Sequence, residues 1–307
     1  TNLMAARNLR CAADVVTRYP DRAAAFDVDE REVSSWLRAA DAIIVPFDDE
    51  LGVTAQSEGF TRYRRWDFET TRDDEYPLLL HYPYYLLYSS QVIKQADLVF
   101  ALYLCGDRFE PEQKRRDFDY YEALTVRDST LSASIQAIVA AEVGHLDLAY
   151  DYFRETAFVD LHDLAGNTSD GLHLASLAGA LLVVMAGFGG MRDHGDTLSF
   201  APRLPTNLTT LRFRLVYRGR QLRVEVSGDN ACYELISGEP LDVLHHGEPV
   251  TLERSSSRTR PIPPHVDLSP VSPPTGREAR WRDVVSNDSS DDCSDSPPAF
   301  TEATAVP

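Results

Sequence analysis

The sequence predicts a mainly α protein with a small β domain behind it, and three observations carry that reading. Up to about residue 190, apolar residues recur at three- and four-residue spacing, the period of an amphipathic helix. After Gly189-Gly190 the period falls to two, the pattern of strands that bury one face. Beyond Arg260 the chain is rich in Pro, Ser and Asp, a composition that cannot bury enough apolar surface to order itself. The expected organisation is a helical domain over 1–192, an antiparallel β-sheet domain over 193–260 and a disordered tail over 261–307.

Composition narrows the function classes. A chain of 307 residues with 43% hydrophobic residues can build a real core. A net charge of −18 argues against nucleic-acid binding through basic patches. The segment after Pro264 holds eight acidic residues and three arginines, so part of that charge belongs to the tail. Cys11, Cys105, Cys232 and Cys293 show neither metal nor redox spacing and read as reduced thiols of a cytoplasmic protein. The apolar run at Ala178–Phe188 is well short of the roughly 20 residues that span a bilayer, so no membrane partner is expected.

The elements follow in order. Residues 2–19 read as a helix with Leu3, Ala6, Leu9, Ala13 and Val16 on one face, stopped by Pro20. Residues 30–41 form a second amphipathic helix around Val33, Trp36 and Leu37. A polar connection over 48–76 contains the acidic run Asp67, Glu69, Asp73, Asp74 and Glu75. Paired catalytic carboxylates face each other across a bond, and a run adjacent in sequence does not impose that geometry, so it reads as a solvated loop. The aromatic stretch His81–Tyr88 is broken by Pro83. Helices are then expected over 89–105, 111–121, 132–143 and 147–159, with Gly144-His145 as the hinge of an αα-hairpin. Alternation at Leu211, Phe213, Leu215 and Tyr217, a turn at Arg218-Gly219 and alternation again at Leu222, Val224 and Val226 mark a β-hairpin.

Two polar corners stand out. Asn167-Thr-Ser-Asp-Gly171-Leu-His173 leads into the helical run Leu174, Leu177, Ala178, Leu181, Leu182 and Met185, read as a buried helix. Free N–H groups and the positive end of the helix dipole make such an entrance suited to an anion. The commonplace alternative is an N-cap, with His173 merely satisfying it. Val126-Arg127-Asp128-Ser129-Thr130-Leu131-Ser132 leads into another helix and adds two hydroxyls and a cation.

These two blocks resemble glycoside hydrolase family 65, whose members include maltose, trehalose and kojibiose phosphorylases. Further blocks in the same order support the likeness: His81-Tyr-Pro-Tyr-Tyr85, Val92-Ile-Lys-Gln-Ala-Asp97, Gly187-Phe-Gly-Gly-Met-Arg192 and Leu198-Ser-Phe-Ala-Pro-Arg-Leu-Pro205. The resemblance runs from residue 1 to about 260 and implies that residues 1–192 are the later helices of an (α/α)6 barrel. It implies an inverting phosphorolysis in which phosphate attacks an α-linked disaccharide and releases β-glucose 1-phosphate. Lys94 and Gln95 would bind sugar hydroxyls, and Ser129, Thr130, Gly171 and His173 would hold phosphate. No catalytic residue is expected in this chain; the general-acid glutamate of the family would lie upstream of Thr1, which makes the chain a C-terminal portion, inactive alone. No cofactor or metal is implied beyond phosphate as co-substrate; the partners are disaccharide and phosphate, with the family's homodimer as the expected assembly. Family members often carry serine where Thr130 stands and histidine where Arg127 stands; the arginine would either aid phosphate or pair with Asp128. Two other readings remain at this stage: a trehalase-like hydrolase, and a non-catalytic sugar-binding scaffold.

Overall fold

A computed structural model describes residues 1–264 and 268–281 of the chain. Helix α1 (Asn2–Arg18) packs on α3 (Glu30–Ala42), with α2 (Pro20–Ala25) between them. The connection that follows is pinned by short paired segments: β1 (Phe47–Asp48) with β2 (Val53–Thr54), and β3 (Arg64–Arg65) with β4 (Ser90–Gln91). The aromatic stretch forms two short helices on either side of Pro83, α4 (Leu78–His81) and α5 (Tyr84–Tyr88).

The helix expected over 89–105 is shorter than its periodicity suggested: α6 covers only Asp97–Leu104. Its first third pairs as extended chain instead. Ser90 and Gln91 run parallel to Arg64 and Arg65. The Ile93 N–H donates to the Leu124 carbonyl at 2.9 Å, and the Ile93 carbonyl accepts from Val126 N–H at 2.9 Å. Partners supplied from distant sequence outweigh local helical preference here.

Helix α7 (Pro111–Glu122) begins with proline at its first turn, where no N–H is missed. Helix α8 (Ser132–Val143) is the centre of the helical part. Its Ala137, Ile138, Val139 and Ala140 are fully buried, as in a helix surrounded by others. Gly144, in the left-handed region at φ 109°, ends α8 and reverses the chain into α9 (Leu146–Phe158), the expected αα-hairpin. Helix α10 (Leu174–Leu182) passes into a π-helical turn over Val183–Phe188. The expectation of a buried helix holds only for that second half. Val183, Ala186 and Phe188 are buried, whereas Leu174 is 71% and Leu181 47% exposed. Helical hairpins of a partial (α/α)6 barrel thus make up the first part of the molecule.

The helical part is joined to the β domain through a tight crossing. At Gly190 (φ 60°) an added Cβ would stand 2.2 Å from the Ala201 carbonyl oxygen. Glu142 of α8 holds the crossing by bonding Lys114 Nζ at 2.5 Å and Arg192 Nη2 at 2.7 Å, while its carbonyl accepts from Arg203 at 2.5 Å. These cations hold the Glu142 carboxyl below its ordinary range despite burial.

The β domain holds two sheets. Strands β6 (Thr210–Tyr217), β7 (Arg220–Ser227) and β8 (Asn230–Ser237) form an antiparallel meander, with β11 (Ser257–Pro261) beside β8. Arg218 and Gly219 both take positive φ, the geometry of a tight hairpin turn. The second sheet places β9 (Leu241–His245) between β10 (Glu248–Leu252) and β5 (Leu198–Phe200). The β5–β9 pair is parallel, a departure from a wholly antiparallel domain. Alternate residues such as Leu211, Phe213, Leu222, Val224 and Val226 point inward and are buried, as the period of two required.

The boundary expected at 261 needs correction. Residues 268–281 fold back on the helical part, and Ala279 is buried against it. Arg127, whose guanidinium lies 4.5 Å from the Tyr152 ring centre, donates to the carbonyls of Arg277 and Glu278. Arg154 stacks over the Trp281 ring at 3.7 Å, and Thr275 Oγ1 donates to Glu69 at 2.6 Å. Composition suggested disorder because the contacts that order this strap are made by side chains more than a hundred residues away. The remainder of the expected tail, 265–267 and 282–307, lies outside the described residues.

Candidate functional site

Two cavities lie side by side on the helical part. The first, of about 480 Å³, is walled by Lys94, Asp128, Ser129, Thr130, Asn167 and His173, with Asp73, Tyr76, Arg277 and Arg280 completing it. The second, of about 430 Å³, holds Tyr84, Leu87, Tyr88, Val92, Lys94, Gln95 and Asp128. Lys94 and Asp128 belong to both, so they form the shared wall. The two polar corners of the sequence therefore meet in one hollow, beside an aromatic one.

Each side chain is placed by a traceable local device. Lys94 and Gln95 sit on the bend just ahead of α6, not on a helix as their spacing suggested. Gln95 Nε2 donates to Asp97 at 3.1 Å, which turns it along the mouth of the aromatic cavity. Tyr84 and Tyr88 stack with ring centres 6.0 Å apart on α5, exposing ring faces of the kind that pack against the C–H surface of a sugar. The 125–132 loop is tied to the start of α10, because Ser176 Oγ donates to the Thr130 carbonyl at 2.7 Å. Ser129 and Thr130 are thereby held opposite His173.

His173 is fixed by Asp160, a residue that the sequence reading did not single out. Asp160 Oδ2 accepts the His173 backbone N–H at 2.8 Å, and Oδ1 contacts Nδ1 at 2.6 Å. The Asp160 side chain is only 6% exposed, and its bonds to His173 hold the carboxyl below the ordinary range. With Nδ1 engaged, Nε2 is the ring atom left for a ligand. The helix entrance is thus capped from α9's end rather than by the Asn167–Asp170 side chains. The signal was present in the sequence as an aspartate just after a helix, but nothing local marks it as a partner of a histidine thirteen positions on.

Gly171 is not brought to the cavity wall. Its φ of 136° needs glycine, yet no heavy atom lies within 4 Å of where a Cβ would stand, so it turns the exposed loop before His173 instead of lining the hollow. Arg127 neither faces the anion cavity nor pairs with Asp128, contrary to both expectations. It takes φ 53° and turns inward, donating to Tyr152 Oη at 2.8 Å. Beneath it Tyr152 donates to Glu122, and Gln136 donates to the same carboxylate at 2.6 Å. Asp128 instead accepts from Leu78 N–H at 2.9 Å and pairs with Arg277 at 3.2 Å. Of the acidic run, Asp74 bonds Arg72 at the surface, whereas Asp73 reaches the cavity rim.

Helical hairpins, an attached β domain and a polar cavity beside an aromatic one are the features of a carbohydrate-active α/α barrel. Comparison with known families agrees: residues 1–182 match the glycosyl hydrolase family 65 central catalytic domain, and residues 191–252 match the family's C-terminal domain. The chain belongs to glycoside hydrolase family 65. It is 50% identical over 281 residues to an uncharacterized glycosyl hydrolase of Mycobacterium leprae (strain TN), covering 91% of this chain and 35% of that protein. It is 36% identical over 262 residues to the α,α-trehalose phosphorylase of Thermoanaerobacter brockii (83% and 34%), and 36% identical over 236 residues to the maltose phosphorylase of Bacillus subtilis (77% and 31%). A solved structure provisionally assigned as a kojibiose phosphorylase, from the human microbiome, superposes with a TM-score of 0.74 at 25% identity, covering 84% of this chain and 35% of that one. The chain spans about a third of the length of these relatives.

Proposed function

We propose that this chain forms the phosphate-binding part, and one side of the sugar slot, of an inverting α-glucoside phosphorylase that releases β-glucose 1-phosphate. The observation that carries this reading is the pair of adjoining cavities with Lys94 and Asp128 between them. Phosphorolysis needs a sugar slot, a cradle that brings phosphate to the anomeric carbon, and an acid for the leaving oxygen. Tyr84, Tyr88, Lys94 and Gln95 supply the slot in this reading; Ser129, Thr130 and His173 supply the cradle through hydroxyl and ring donors. The acid comes from the part of the enzyme that the relatives' extra length represents. The face of α10 that carries Leu174 and Leu181 would be covered by that same part, which makes this chain inactive alone.

Hydrolysis would require a free carboxylate to activate water. Asp128 is engaged by the Leu78 N–H and by Arg277, so it is not free to take that part. In this reading the enzyme works in the cytoplasm, as a homodimer, on disaccharide and phosphate; among the described residues no helix is long and apolar enough to cross a membrane. The test is to incubate the full-length enzyme with trehalose, maltose and kojibiose, with and without phosphate. Glucose 1-phosphate formed only in the presence of phosphate is the expected result; glucose released without phosphate would overturn the reading.

A further inference from the structure

The strap over 268–281 does more than cover the core, since two of its arginines enter the wall of the anion cavity. They are held differently. Arg277 donates to the Val126 carbonyl through Nε at 2.7 Å and lies 3.2 Å from Asp128, so its charge is largely answered. It also stacks over Tyr76 at 4.2 Å. Burial and the neighbouring Arg280 push the Arg277 guanidinium down to about 10.

Arg280 makes no ion pair among the described residues, although it shares with Arg277 the field of Asp128. Its backbone N–H is tied to Glu155 Oε2 at 3.0 Å, and among the described residues its guanidinium donates to two carbonyls, those of Arg127 at 3.1 Å and Leu164 at 3.5 Å. Among the described residues, no carboxylate lies within 4 Å of its guanidinium nitrogens. A planar five-donor group anchored at one edge by carbonyls keeps donors and full charge for a ligand. Lys94 contributes a third cation to the same hollow. Asp73 at the rim and Asp128, paired with Arg277, are the acids there.

We propose that the strap is a built-in wall of the anion site, in which Arg280, brought in by the segment that follows the β domain, binds the tetrahedral oxyanion together with Ser129, Thr130 and His173. This rests on the phosphorylase reading for the identity of the anion as phosphate. The buried Arg127 is then the pin that sets the strap's height: its two bonds to the Arg277 and Glu278 carbonyls fix the backbone on which Arg280 rides. The site would be completed only when residues separated by about 150 positions have closed over it.

The experiment titrates the full-length enzyme with inorganic phosphate, with sulfate and separately with glucose, in wild type, Arg280→Gln, Arg280→Lys and His173→Ala. Glutamine keeps the length and a donor for one carbonyl while removing the charge. The expected result is phosphate binding weakened about 10- to 100-fold in Arg280→Gln, the range for one charge-assisted hydrogen bond, with glucose binding unchanged and partial recovery in Arg280→Lys. Sulfate should follow phosphate. Wild-type phosphate affinity retained in Arg280→Gln while His173→Ala loses it would overturn the strap's role and leave the phosphorylase reading standing. Equal loss of phosphate and glucose binding in Arg280→Gln would show a merely structural residue and overturn the proposal. Wild-type enzyme that binds neither anion would overturn both.

Discussion

A histidine becomes a dependable ligand group only when its ring cannot turn, and His173 owes that to a single carboxylate. Asp160 meets both its backbone N–H and its Nδ1. Asp160→Asn keeps an oxygen for one of those bonds and loses the charge. The expected outcome is a KM for phosphate raised about tenfold with the KM for disaccharide unchanged, measured by initial rates in the phosphorolytic direction. A second histidine sets a pH dependence of stability. Burial, with His245 and Arg203 beside it, pushes His246 down to about 4. In the unfolded chain the ring takes up its proton near its ordinary pKa of about 6.5, so its folded form loses stability as pH falls from there to about 4. The loss is on the order of 1–2 kcal/mol once solvent screening of a half-buried ring is allowed for. His246 sits at φ 47°, a region asparagine tolerates, so His246→Asn is expected to flatten the denaturation midpoint over that pH range. Ser129, Thr130 and His173 were legible as wall residues of one hollow because hydroxyls and a ring at helix entrances have a local signature. Asp160, Arg277 and Arg280 were not, since their roles exist only through contacts across the fold.

At the scale of elements, local periodicity located α1, α3, α7, α8 and α9 to within a residue or two, because each buries a stripe along its own length. It failed at 89–96, where Ser90 and Gln91 pair with β3 and Ile93 bridges to Thr125. It also failed at the strap, whose order comes from Arg127, Arg154 and Glu155 rather than from its own residues. The junction between the two parts is the least forgiving element. Gly190 holds a left-handed conformation against the Ala201 backbone, and neither side of that contact is a flexible side chain. Gly190→Ala adds strain in φ and an overlap with backbone, and is expected to cost about 3 kcal/mol, read as a lowered midpoint in urea.

On the scale of the whole molecule, the helical part carries the cavities, while the β domain anchors it through Glu142, Arg192 and Arg203. The unevenness of burial along α10 separates two possible surroundings for that helix. If other barrel helices cover it, replacing Leu174 and Leu181 together by aspartate should destabilise the full-length enzyme by about 2–4 kcal/mol. The same double change should reduce self-association of residues 1–307 expressed alone, followed by light scattering. The broad architecture was readable because two periods, 3.6 and 2, divide the chain near Gly190. The meeting of the two polar corners was not readable from periodicity, which says which face is buried but not which loops become neighbours; it was expected through the family resemblance alone, and the structure puts both corners on one hollow.

Strand β5 is the first segment of the β domain to be made, yet its neighbour in the sheet, β9, begins only at Leu241. On the ribosome, Leu198–Phe200 must wait for the whole β6–β8 meander to emerge before it can be laid down. Until then Gly190 and Arg192 have no sheet to brace them, and the apolar end of the π-helical turn stays open to water. Non-local pairing of this kind slows closure. A nascent chain stalled before Leu241 should therefore be the form that chaperones hold and proteases find.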